Sequence, residues 1–261
     1  MKTSRRKIEE LLWVVGLHDF ARKVYHTTSG KAIKYHLATM HAFYGRLITP
    51  GALVFDVGAN VGKFSEVLVS LGARVVAIEP NPDLVRHIQL SVTGGSIEVI
   101  QAAVGRCCEL AVLRVSDEKD DMSSMSDEWM AAMRSHHKEY ETLWGRDITV
   151  PMTTLDCLAK RYGEPDYVKI DVEGFEESVL EGLSAQPALL SFEFNTAFLD
   201  ATMRCLDKKV FAPGSVFNFV VGQPDRFEME QWISKDELKR QLRTRGTEDR
   251  PGDIFVKRVA E

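Results

Sequence analysis

Val54-Phe55-Asp56-Val57-Gly58-Ala59-Asn60-Val61-Gly62 is an apolar run that closes on an acid and enters a turn carrying two glycines, and Lys63 to Leu71 then repeats apolar residues at helical spacing. Strand, glycine turn and helix in that order open a βαβ unit. In open parallel sheets, ligands bind outside the carboxyl ends of the strands, so this turn is where a nucleotide-like cofactor would sit.

The alternation continues outward. Arg74 to Glu79 reads as a strand, Pro82 to Val92 as a helix and Ile97 to Val104 as a strand; farther on, Tyr167 to Val172 and Leu189 to Phe194 are buried strands separated by the helical run Phe175 to Leu183. Val216 to Val221 and Ile254 to Val259 read as an antiparallel pair at the sheet edge. The pattern predicts parallel strands joined by right-handed crossovers, hence an α/β, Rossmann-like fold with a mostly parallel seven-stranded sheet.

Thr49-Pro50-Gly51 is a turn that divides this domain, 49–261, from an N-terminal arm, 1–48, whose apolar residues Ile8, Leu11, Leu12 and Val15 recur at helical spacing. The arm holds nine Lys or Arg against three acids, and Tyr44 and Arg46 at its end adjoin the first strand and could reach the site directly. Asp117 to Asp147 breaks the alternation with nine acids against four bases and with Met122, Met125, Met130 and Met133. It is expected to be a helical insertion forming a lid over the site, or alternatively a mobile, solvated loop with no role in binding.

Composition limits the partners. A chain of 261 residues, 44% hydrophobic, can bury one large core, and a net charge of -5 gives no overall electrostatic footprint for nucleic acid. The apolar stretch Leu11 to Leu17 is too short to span a membrane. Cys107, Cys108, Cys157 and Cys205 form neither a CxxC pair nor a dense framework and read as reduced thiols of a cytoplasmic protein.

The spacing of the turn also selects a cofactor. A dinucleotide fingerprint needs a second glycine so that backbone can approach a pyrophosphate, and Asn60 stands in its place. S-adenosylmethionine carries no phosphate but has an ammonium and a sulfonium, which suit an acid such as Asp56 beside the turn. Gly58, Ala59, Asn60 and Gly62 would then line the cofactor. Glu79 follows Asp56 by 23 positions and is placed to accept the ribose hydroxyls. Asn81 could face the ribose or adenine, and Gln101 and Ala103 border a run of small residues where an adenine ring could lie against backbone.

Asp171 and Glu173 lie at the carboxyl end of the fourth strand, and Glu193 and Asn195 at the end of the fifth. Acids converging there could orient a hydroxyl, act as a base, or hold Mg or Ca through Asp171, Glu173 and Glu193. Alternatively, Asp171 and Glu173 cap the next helix. His136 and His137 in the insertion, and His36 and His41 in the arm, are further base candidates, each equally readable as a surface or packing histidine.

Phe43-Tyr44-Gly45-Arg46-Leu47-Ile48, the Asp56 to Gly62 turn, Ile78-Glu79-Pro80-Asn81-Pro82 and Val168-Lys169-Ile170-Asp171-Val172-Glu173-Gly174-Phe175-Glu176 together resemble the FkbM family of methyltransferases. The resemblance runs from about residue 43 to 195, and its last motif is the specific one. It implies the class I methyltransferase sheet, S-adenosylmethionine as donor, and O-methylation of a hydroxyl on a sugar, glycan or natural-product acceptor. It also implies that Asp56, Gly58, Asn60, Gly62 and Glu79 contact the cofactor and that Asp171 lies beside the methyl group. The acceptor is expected to be a small molecule or glycan, anionic or carrier-bound if the basic arm recruits it, and not nucleic acid. Two other readings compete: a nicotinamide-dependent oxidoreductase, opposed by Asn60, and a non-catalytic S-adenosylmethionine-binding module, opposed by the acids at the fourth and fifth strands.

Overall fold

The computed structural model describes residues 36–116, 123–136, 144–195, 198–222, 224–244 and 251–259. The first 35 residues of the arm, with most of its charge, lie outside the described residues, as does His137.

A helix over 36–44, α1, precedes β1 (Leu53–Val57), α2 (Lys63–Ser70), β2 (Arg74–Glu79), α3 (Pro82–Ser91) and β3 (Ser96–Gln101). There follow β4 (Ala103–Val104), β5 (Glu109–Ser116), α4 (Asp127–His136), β6 (Trp144–Thr153), α5 (Leu155–Tyr162) and β7 (Tyr167–Ile170). The chain continues through α6 (Glu176–Glu181), β8 (Leu189–Asn195), α7 (Leu199–Leu206), β9 (Val216–Val221), α8 (Lys235–Thr244) and β10 (Pro251–Lys257). The main sheet has seven strands in the order β3-β2-β1-β7-β8-β10-β9. Its strands pair in parallel from β3 across to β8, and β10 runs antiparallel to both neighbours. The expected Rossmann-like α/β sheet is therefore present, with its antiparallel edge.

Alternation along the strands sorts the two layers. Phe55, Val57, Ile78, Val168, Ile170 and Phe192 face one core with Leu158, Leu180, Leu206 and Leu238 from α5, α6, α7 and α8. Val54, Val75, Tyr167 and Phe255 face the other with Phe43 and Tyr44 of α1, Leu68 of α2 and Ile88 of α3. Both faces are buried, which is why the central strands read as apolar runs.

Two expectations change. Ile97 to Val104 is not one strand: β3 follows β2 as far as the pair Glu79 and Gln101, and then β4 leaves to pair with β6 at Met152 and Thr153. At the bend, Ala102 N–H donates to the Ile100 carbonyl at 3.1 Å, a tight turn within the strand itself that carries the chain off the main sheet. The insertion is only partly helical. α4 is flanked by β5 and β6, an antiparallel pair that with β4 makes a second, three-stranded sheet over the core of Ala103, Leu113, Val115, Val150 and Met152.

Candidate functional site

The chain order reverses at β1, with β2 and β3 on one side and β7 and β8 on the other, so the carboxyl ends of β1 and β7 border a crevice. Gly58 begins the turn after β1 with φ 80, and its N–H donates to the Ile78 carbonyl at 2.9 Å. Asn60 takes φ 51, a left-handed conformation that its side chain tolerates better than most. Its N–H donates to Glu79 Oε2 at 2.9 Å, while Asn81 N–H donates to Glu79 Oε1 at 2.9 Å. Burial pushes the Glu79 carboxyl up to about 7, even though both N–H groups favour its charge. Glu79 thus clamps the turn after β1 to the end of β2 as well as facing the crevice.

A cavity of about 200 Å³ opens here, lined by Gly58, Asn60, Glu79, Leu84, Ala102, Ala103 and Val104, by Ser123 to Met125 of the insertion, and by Asp171, Glu173 and Glu193. A second cavity, of about 460 Å³, shares Gly58, Asn60 and Asp171 with it and extends to Met40, Tyr44, Ala59, Asp56, Lys169 and Asp253.

Sheet register builds a buried row of charge on the second cavity's side. Asp56 pairs with Lys169 across β1 and β7, and Lys169 with Ser191 across β7 and β8. Lys169 Nζ meets Asp171 Oδ2 at 2.6 Å and lies 5.4 Å from the Phe64 ring centre. Burial works against the Lys169 charge, but Asp171, Asp253 and Asp56 hold its pKa above the usual lysine range. Asp56 Oδ2 accepts from Ser65 Oγ at 2.6 Å, whereas Oδ1 is buried without a partner. Burial raises the Asp56 pKa, with Lys169 opposing. Asp253 is pushed up to about 6 by burial, again against Lys169. Lys169 and Asp253 were not singled out from sequence; a lysine inside an apolar strand was the available signal, since lysine is almost never buried unless paired.

On the other side of Asp171, carboxylate oxygens of Asp171, Glu173 and Glu193 lie within 4.8 Å of one another. Burial, then Glu173 and Asp171, push the Glu193 pKa well above the usual carboxylate range. Glu173 has φ 52, and its carbonyl accepts from Ser124 Oγ at 2.7 Å. At Gly174 a Cβ would stand 2.3 Å from Trp129 Cβ, so the insertion packs directly on the strand end. The side chain that serves the turn before α6 is Glu176, whose Oε1 accepts from Val172 N–H at 3.1 Å and Gly174 N–H at 3.3 Å. The N-cap of α6, Phe175, makes no side-chain cap bond.

Several expected positions fall elsewhere. Gln101 is exposed and lines neither cavity, because the chain bends at Ala102 and presents Ala102 to Val104 instead. Asn81 is spent as the N-cap of α3, its Oδ1 accepting from Asp83 N–H at 3.0 Å. Gly62 packs on α3, where a Cβ would stand 3.0 Å from Val92 Cγ2. Asn195 lines a smaller pocket together with Glu193. His136 ends α4; His36 lines the second cavity with a buried, unpartnered Nδ1; His41 is exposed. Tyr44 borders the second cavity, whereas Arg46 turns away to the Asp225 carbonyl at 3.0 Å. No helix among the described residues is long and apolar enough to cross a membrane.

Residues 56–236, more than half of the chain, match the family described as the Methyltransferase FkbM domain. Over 54 residues the chain is 43% identical to a ubiquinone biosynthesis O-methyltransferase of Xanthomonas campestris pv. campestris (strain B100), a stretch covering 21% of this chain and 23% of that protein. The chain therefore matches less than a quarter of that relative's length. Among solved structures it is similar to a precorrin-6y C5,15-methyltransferase from Geobacter metallireducens GS-15, at 10% identity and TM-score 0.41 over 88% of each chain. It is also similar to a TehB-like SAM-dependent methyltransferase from Corynebacterium glutamicum ATCC 13032 Kitasato, at 11% identity and TM-score 0.41 over 90% of this chain and 100% of the other.

Proposed function

We propose that the chain, which belongs to the FkbM methyltransferase family, is an S-adenosylmethionine-dependent methyltransferase that methylates a hydroxyl oxygen on a sugar, glycan or natural-product acceptor. The observation that carries this reading is the group of three carboxylates, Asp171, Glu173 and Glu193, where β7 and β8 end beside the first cavity. Carboxylates accept hydrogen bonds from hydroxyl groups and can take their proton.

The residues present suit the donor. Ala102, Ala103, Val104 and Leu84 give apolar walls for an adenine, and Glu79 keeps lone pairs for ribose hydroxyls beyond those used by Asn60 and Asn81. The unpartnered Asp56 Oδ1 is a buried acceptor that suits a cation-bearing ligand. When bound, the donor supplies an electrophilic methyl group on a positively charged sulfur. The chain orients the acceptor oxygen for in-line attack, the step from which much of the acceleration would come. Glu193, whose carboxylate lines the first cavity beside Asp171, is the residue we assign to receive the hydroxyl proton, with Asp171 held in place by Lys169. The insertion acts as a lid through Ser124 and Trp129, excluding water.

A divalent cation would also relieve repulsion within the trio, as would a proton shared between the acids. The two are separated by exhaustive chelation: the proton version keeps full activity and the Mg or Ca version loses it. Net charge of -5 favours a small or glycan acceptor over nucleic acid. The experiment for the reading as a whole is transfer of a labelled methyl group to a panel of neutral sugars, sugar phosphates, phenols and amines. Label recovered as an ether on a hydroxyl acceptor supports it; label on nitrogen alone, or donor binding without transfer to any acceptor, contradicts it.

A further inference from the structure

Cys108 and Cys157 are exposed, and their sulfurs lie 3.5 Å apart. Nothing in the methyl transfer requires them. Cys108 sits in the turn between β4 and β5, and Cys157 in the first helical turn of α5, where its N–H donates to Thr154 Oγ1 at 3.1 Å. The two backbone segments are already held together, since Gly105 N–H donates to the Thr153 carbonyl at 2.9 Å. A disulfide has its sulfurs about 2.05 Å apart, so bridging needs a closure of about 1.5 Å between two exposed side chains.

We propose that Cys108 and Cys157 are an oxidation site, forming a reversible intramolecular disulfide when a hydroperoxide such as hydrogen peroxide is present. The nucleophile is Cys157. Its thiol pKa is lowered first by the Thr154 hydroxyl and then by Cys108, and it lies at a helix N-terminus, which favours the thiolate. The Cys157 thiolate attacks one peroxide oxygen, the O–O bond breaks, and a sulfenic acid forms while the released hydroxide takes up a proton as water. The Cys108 sulfur then attacks the Cys157 sulfur, the S–O bond breaks, and a second water leaves. Two thiols lose two hydrogens, and one peroxide is reduced to two waters.

The other thiols are placed differently. Cys107 packs against the core of the second sheet, and its pKa is raised by the Glu109 side chain. Cys205 is buried, and burial raises its pKa. The bridge would join two residues whose intervening loop contains the whole insertion, including Ser123, Ser124 and Met125 of the first cavity. It would thereby fix both ends of that insertion at its base and restrict the unfolded chain.

The full chain, fully reduced, is treated with hydrogen peroxide, and its disulfides are mapped by mass spectrometry after alkylation. A bridge between the Cys108 and Cys157 peptides is expected, together with loss of two hydrogens from the intact mass and reversal by dithiothreitol. Cys107→Ser should still form it. Cys108→Ser should instead give a Cys157 sulfenic acid trapped by dimedone. Oxidation should raise the melting temperature of the unsubstituted chain by several degrees and leave Cys108→Ser unchanged. A bridge that uses Cys107, or Cys108 and Cys157 both fully alkylatable after peroxide, overturns the proposal.

Discussion

Gly58 and Asp171 meet backbone to backbone: a Cβ on Gly58 would stand 1.8 Å from the Asp171 carbonyl oxygen. The turn after β1 and the end of β7 are therefore as close as main chains allow, and this contact brings the cofactor turn beside the strand-end acids.

Gly58→Ala consequently carries two penalties, a left-handed φ of +80 and an overlap with backbone that has no rotamer to escape into. We expect a loss of about 3 kcal/mol or more in denaturant unfolding. Gly94→Ala, with φ +83 and nothing within 4 Å, should lose only about 1–2 kcal/mol. Equal losses at the two positions would mean that the Asp171 contact is not what requires glycine.

Glu79 has a pKa of about 7 in the fold against a usual 4.5, so between those values the folded chain keeps a proton that the unfolded chain has released. The contribution of Glu79 therefore makes stability fall as pH rises through that window. Glu79→Gln should remove this slope, seen by comparing unfolding free energies near pH 5 and near pH 8. The same substitution should weaken donor binding by about 1.5–3 kcal/mol, since it removes a charged hydrogen-bond acceptor. In the unsubstituted chain, donor affinity should strengthen as pH rises through the Glu79 pKa. Calorimetric titration at both pH values checks this, and a pH-independent affinity would remove Glu79 from the donor site.

Lys169 is buried among Asp171, Asp253 and Asp56. Lys169→Met keeps most of the volume and leaves those acids without their cation, so stability near neutral pH should fall by about 3–5 kcal/mol. Without Lys169 the Asp253 pKa should rise above its value of about 6, so the loss should shrink as pH falls towards 6 and Asp253 takes up a proton. A deficit that stays constant across this range would show that Lys169 acts by packing rather than charge.

The boundaries of β1 and β2 were legible because glycine, proline and a change of period punctuate an apolar run at both ends. The strand-end acids Asp171, Glu173 and Glu193 were legible as candidates because they stand at the carboxyl ends of apolar runs, the side of a parallel sheet on which ligands bind. β5 and β6 were not. Leu110 and Val112 are exposed in β5 while Leu113 and Val115 are buried, so the strand carries no clean alternation, and charge in the adjoining insertion masks its partner. The role of Lys169 depends on register: only pairing across β1, β7, β8 and β10 places it near both Asp56 and Asp253. The place of Gln101 likewise depends on pairing that the sequence does not show, since the chain turns at Ala102 where β3 leaves β2 and β4 joins β6.

Methyl transfer to a hydroxyl whose proton passes to the strand-end acids is put to the test by Glu193→Gln, with donor affinity and kcat on a hydroxyl acceptor measured on one preparation. The account predicts donor affinity unchanged within about twofold and kcat reduced by about 10²- to 10⁴-fold, the range typical of a lost general base. An unchanged kcat, or a fall fully matched by lost donor binding, would contradict it.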